Sequence, residues 1–111
     1  MNKIKEIENK ENIEYGTIDV AYRDTLKSEN EMLNFFDSIW DEDINEICNF
    51  CKRNDINEFT ISCQSVRTIP LLHELEQKGF KITGTKMINA CYKNSSGKFS
   101  QIPAIILKSI Q

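Results

Sequence analysis

The strongest constraint on this chain lies in its second half, where one short helical pattern is enclosed by alternating ones. Glu58-Phe59-Thr60-Ile61-Ser62-Cys63 alternates, placing Phe59, Ile61 and Cys63 on one face, as a half-buried strand requires. The period then changes. Leu71, Leu72 and Leu75 form an apolar helical stripe, Thr68 stands where a cap belongs, and Pro70 sits in the first turn, where its missing N–H costs nothing. Glu74 and Lys78 add an i,i+4 ion pair, and Gly79 supplies the residue that ends a helix in the left-handed conformation. From Phe80 the period returns to two, with Phe80, Ile82, Ile88, Ala90 and Tyr92 on one face. Asn94-Ser95-Ser96-Gly97 reads as a hairpin turn, and Ile102 to Leu107 as a last strand that tolerates Pro103 near its start. The unit is β-α-β-β: its first two strands can run parallel across the helix, and its last two form a hairpin.

The first half is written in helical spacing. Ile4 and Ile7, with Glu6, Lys10 and Glu14 at i,i+4 steps, read as a short helix from Lys3 to about Ile13. Thr17 to Leu26 fits a strand at its start and a helix later. Ser28-Glu29-Asn30-Glu31 has the form of a capping box, and Met32, Leu33, Phe36, Ile39 and Trp40 follow at helical spacing. Ile44, Ile47, Cys48 and Cys51 extend that stripe, either as one helix over 29–53 or as two. A break is favoured, with Asp41 or Asp43 capping the second helix, because consecutive acids suit a helix N-terminus.

The fold class that follows is α+β: N-terminal helices, then the β-α-β-β unit as a three-stranded sheet packed on helices. A chain of 111 residues fits a single domain, 1–111, divided into an N-terminal segment 1–27, an acidic helical part 28–54 and the β-α-β-β part 58–111. Phe36, Trp40, Ile47, Phe59, Ile61, Leu72, Leu75, Ile82 and Ile106 are the expected core. No apolar run approaches the roughly 20 residues that span a bilayer, and the N-terminus lacks the apolar stretch of a secretory signal, so the expected location is the cytoplasm.

Charge is sharply segregated. Ser28 to Cys51 contains no Lys or Arg and carries a net −7, whereas the residues after Glu76 contain no Asp or Glu and carry +6, within an overall −3. Two solvated faces that attract each other within the monomer would account for this. So would an acidic surface made of Asp37, Asp41, Glu42, Asp43 and Glu46 that docks onto a basic partner, since complementary potentials speed association and fix orientation. Direct nucleic-acid binding by the Lys-rich strands is a weaker reading, because Arg is absent there and stacking aromatics are few.

Catalytic and metal signatures fail on their context. Cys48-Asn49-Phe50-Cys51 has C-x-x-C spacing, but Cys63 and Cys91 are isolated, and the pair lies near a helix C-terminus, which raises a thiol pKa. Asp41-Glu42-Asp43-Ile44-Asn45 begins like a calcium loop, yet Glu46 replaces the required Gly and Lys52 the closing Glu. His73 is the sole histidine. The reading therefore assigns no catalytic residue, no metal and no cofactor. One loop keeps a ligand-binding reading: Gln64, Ser65, Arg67 and Thr68 lie between a strand and a helix N-terminus, where backbone N–H groups meet a ligand in β-α units.

Glu58 to Ser62, Leu71 to Gly79, Ile82-Thr83-Gly84-Thr85, Ile88-Asn89, Tyr92-Lys93 and Ile102-Pro103-Ala104-Ile105 together resemble a family of small uncharacterised proteins encoded by phages and integrative elements of low-GC Gram-positive bacteria. The resemblance covers roughly residues 43–108 and carries no active site. It implies a context in which small acidic proteins bind and inhibit host defence machinery, including CRISPR effectors. The expectation is a non-enzymatic protein-binding module, an anti-CRISPR-type inhibitor acting on a host defence nuclease or another nucleic-acid-binding protein. The alternatives are a nucleic-acid-associated regulator using the Lys-rich sheet and a small-ligand binder at 62–68.

Overall fold

The computed structural model describes residues 16–110, so the helix expected over 3–13 lies outside the described residues. Thr17–Lys27 is helical (α1): Ile18, Ala21, Tyr22 and Thr25 are its buried residues, an i, i+3, i+4, i+7 stripe that settles the strand-or-helix ambiguity. The capping box at Ser28 is not used as one. Ser28 is instead the C-cap of α1, its hydroxyl donating to the Asp24 carbonyl at 2.7 Å, and Glu29 turns the chain at φ 57°. The helix expected from 29 is therefore a loop that carries a two-residue strand, β1 (Asn34–Phe35).

The break before Ile44 is present. A 3-10 turn, Asp41–Asp43, leads into α2 (Ile44–Arg53). Next come β2 (Glu58–Ile61), α3 (Thr68–Gln77), β3 (Phe80–Lys93) and β4 (Phe99–Ser109). Pro70 lies in the first turn of α3, and Gly79, at φ 95°, lets the chain turn straight into β3. Thr68 does not cap α3; its hydroxyl donates to the Cys63 carbonyl at 2.9 Å.

The sheet is mixed and four-stranded, in the order β1-β2-β4-β3. β1 pairs parallel with β2, while β4 is antiparallel to both β2 and β3. The expected three-stranded sheet thus gains a strand, and β2 and β3 are parallel without being neighbours, because the hairpin folds β4 back between them. Both crossovers, β1-α2-β2 and β2-α3-β3, advance across the sheet in the same direction. The right-handed rule for such connections therefore places α2 and α3 on one face. That face carries Phe35, Phe59 and Phe80, stacked edge-on with centroids 5.4 and 5.1 Å apart. Ile47 and Phe50 of α2 and Leu71 and Leu75 of α3 are buried in the same cluster. The opposite face holds a buried polar row: Asn34 Nδ2 donates to Ser62 Oγ at 3.1 Å, and Thr60 Oγ1 donates to Asn34 Oδ1 at 2.7 Å. α1 borders β1 and β3.

Of the expected core, Ile47, Phe59, Ile61 and Leu75 are buried. Phe36, Leu72 and Ile106 are only half-buried. Trp40 is 45% exposed, because it sits in a loop and not on a helix stripe, and Ile82 is 47% exposed, because β3 is the edge strand. Leu75→Ala should therefore cost roughly 2–5 kcal/mol in denaturant titration, while Ile82→Ala should cost less than about 1 kcal/mol. Equal losses at the two positions would contradict this packing.

Candidate interaction face

Parallel strands deliver their following loops to the same end of a sheet. Here β1 exits into Phe36–Asp43 and β2 into Ser62–Arg67, so the acidic segment and the 62–68 loop, far apart in sequence, meet in space. Arg67 joins them. Its Nη2 donates to the Asp37 carbonyl at 2.7 Å, and its guanidinium lies 3.8 Å from the centroid of the Trp40 ring. The loop around Arg67 is internally braced: the Arg67 and Thr68 amides donate to the hydroxyl and carbonyl of Ser65, at 3.2 and 3.1 Å.

The acidic residues separate into two roles. Asp37, Asp41, Glu42 and Glu46 are exposed. Asp43 is half-buried and serves the fold: its carboxylate accepts from the Trp40 amide at 3.3 Å and from the Thr17 hydroxyl, tying the acidic turn to α1. Within the loop Gln64 and Ser65 are exposed and Arg67 and Thr68 half-buried. Sequence reasoning missed the apolar members of this end. Val66 is 95% exposed and Ile69 78% exposed, flanking Arg67 in the chain. A signal for them existed: neither lies on the stripe of Leu71 and Leu75, so no helix face was available to bury them.

β2 stops at Ile61 while β4 continues, and this mismatch leaves a cleft of about 280 Å³ beside Cys63 and Gln64, walled by Thr85, Pro103 and Ile105. Burial would raise the Cys63 thiol pKa, but hydrogen bonds from Ser65, Thr68 and Arg67 outweigh it and the thiol is lowered. Cys48 and Cys51 behave differently. Burial pushes Cys48 up, and burial reinforced by Cys48 pushes Cys51 up to about 12. Among the described residues, no three His, Cys, Asp or Glu side chains converge as metal ligands, and no helix is long and apolar enough to cross a membrane.

A family model described as a domain of unknown function, DUF7698, matches residues 17–109, a stretch that takes in every element from α1 to β4. No curated protein and no solved structure matches the chain.

Trp40 is the only tryptophan, so its emission reports on the Arg67 contact directly. Arg67→Ala should shift the emission maximum and speed quenching by iodide. Stability should fall by only about 0.5–2 kcal/mol, the worth of a partly desolvated cation–π contact. An unchanged spectrum would show that the two loops are not joined through this pair.

Proposed function

We propose, for this chain, which belongs to the DUF7698 family, the role of a non-enzymatic protein-binding module that docks a basic partner through the end of the sheet where Trp40, Val66 and Ile69 lie. The observation that carries the reading is the exposure of these three side chains together with the Arg67 stack, beside the exposed carboxylates of Asp37, Asp41 and Glu42. Interfaces concentrate their energy in buried aromatic, Arg and aliphatic anchors, and a charged rim steers the approach. Leaving Val66 and Ile69 in water gains the monomer nothing; covering them gives a partner roughly 1.5–3 kcal/mol for each side chain. In this reading the 62–68 loop is part of the docking face and not a small-molecule site. Repulsion among the acids is offset only when a basic surface arrives.

The partner class with such a surface is a nucleic-acid-binding protein. With the resemblance to proteins of phages and integrative elements, the reading becomes an inhibitor of a CRISPR effector or a similar defence nuclease in the bacterial cytoplasm. The test is capture by the immobilised chain from lysate of a low-GC Gram-positive host, at about 0.05 M and about 0.5 M salt. Wild type should retain one stoichiometric partner at low salt and release it at high salt. Ile69→Asp should lose it, as should the triple reversal of Asp37, Asp41 and Glu42 to Lys, with a loss at each step of at least about 2 kcal/mol of binding, or roughly 30-fold in Kd. Identical captures by all three proteins would show that this end is solvated surface.

A further inference from the structure

The C-x-x-C pair has no part in the docking face, and the fold gives it a setting of its own. Cys48 and Cys51 lie three residues apart on α2. That step brings two side chains to one side of a helix, about 60° apart around its axis and with Cβ atoms about 5–6 Å from each other. Both are free thiols, Cys51 buried and Cys48 half-buried. Both line one cavity of about 440 Å³ at the end of the sheet away from the 62–68 loop, where α2 and α3 finish and β3 begins. Phe80 forms part of its wall, and Lys52 and Lys78 line it against one acid, Asp55. Lys78 stands close enough to Cys48 for its charge to favour the thiolate there.

The donor set decides which ion such a pair can hold. Among the described residues no third His, Cys, Asp or Glu side chain joins the two thiols. Cys63 lines the cleft at the other end of β2, and Cys91 Sγ lies 3.7 Å from the Asp24 carbonyl of α1. A structural Zn(II) needs four ligands, and calcium and magnesium need oxygen. Two thiolates with nothing else suit a soft monovalent ion. The geometry agrees: in a linear sulfur–metal–sulfur unit the sulfurs stand about 4.5 Å apart, twice a metal–thiolate bond of about 2.3 Å, and side chains with Cβ atoms about 5–6 Å apart reach that separation.

Charge agrees as well. A monovalent ion between two thiolates leaves a net charge of −1. The carbonyl end of α2 disfavours that charge, and the cavity's two lysines against one acid offset it. We propose that Cys48 and Cys51 form a two-coordinate site for a soft monovalent metal ion, Cu(I), reached through this cavity. As the ion enters, two S–H bonds break and two S–Cu bonds form. Both protons pass to solvent, and the oxidation state of the metal does not change.

The test uses the full chain, reduced and kept free of oxygen, titrated with Cu(I) in competition with bicinchoninate. The chain should withdraw one Cu(I) from the chelator, and X-ray absorption should show two sulfur neighbours and no nitrogen or oxygen. Cys48→Ser, at a half-buried position, should weaken uptake at least about hundredfold. The double variant Cys63→Ser, Cys91→Ser should keep the wild-type affinity within about threefold, since neither residue lies at the site. Should that variant fail to fold, Cys48→Ser and the absorption spectrum still decide. Zn(II) should bind at least about hundredfold more weakly than Cu(I). No uptake against the chelator, unchanged affinity in Cys48→Ser, an equal loss in the folded double variant, a third sulfur around the metal, or equal affinity for Zn(II) would overturn the proposal. So would a dimeric mass on loading, which would show that the two sulfurs come from two chains.

Discussion

Asn34 is the side chain on which the arrangement of this chain turns. It is fully buried, a position that costs a carboxamide several kcal/mol unless its groups are bonded, and here they are. Its amide donates to Thr25 Oγ1 at 3.0 Å, its Oδ1 accepts from Thr60, and its Nδ2 donates to Ser62. The first helix and the β2 segment are thereby both fastened to one residue of β1. β1 has little else to hold its place: it is two residues long and pairs on one side only, its short ladder bracketed by bonds from the Thr60 amide to Leu33 O at 3.0 Å and from the Ser62 amide to Phe35 O at 2.9 Å. The side chain also fixes register. A slip of one residue would turn Phe35 into the polar row and Asn34 into the phenylalanine cluster, and both would be penalised.

The remaining features follow from β1 standing parallel beside β2. Parallel pairing demands a crossover, which α2 supplies, and the shared handedness of the two crossovers puts α2 and α3 side by side. It also sends the loops after β1 and β2 to the same end. Arg67 is then close enough to Asp37 and Trp40 to join those loops, and the apolar side chains that no helix face can bury are left on their rim. The proposed interaction face is thus a consequence of sheet topology, with the acidic residues supplying its charge.

The C-terminal half was legible in the sequence because each local signal agreed with the final structure. Pro70 and Gly79 delimit α3, alternation marks β2 and β3, and Asn94 organises the hairpin turn by accepting from the Ser96 and Lys98 amides. The segment 28–40 was misread because its local signals point elsewhere. Ser28 and Glu31 match a capping box, but the Ser28 hydroxyl finds carbonyls at the end of α1 instead, and a left-handed Glu29 turns the chain away. Leu33, Phe35 and Ile39 are buried at spacings set by tertiary contacts that no local period encodes. The position of β4 between β2 and β3 was equally hidden, since a hairpin's second strand can pair on either side. At the interaction face, the acids and Arg67 were visible as charge and as the one arginine of the second half. The exposure of Trp40 was not visible, because an apolar residue at helical spacing reads as core until the helix proves absent.

The central claim is that Asn34 holds β1 against β2 and through it the loops that follow. Site-resolved amide exchange in wild type and Asn34→Ala tests it most directly. The amides of Thr60 and Ser62, which bond to Leu33 and Phe35, should lose protection at least about tenfold more than that of Ile88 in the β3–β4 ladder, as local opening of β1 requires. Unchanged protection at Thr60 and Ser62, or an equal loss at all three amides, would contradict it.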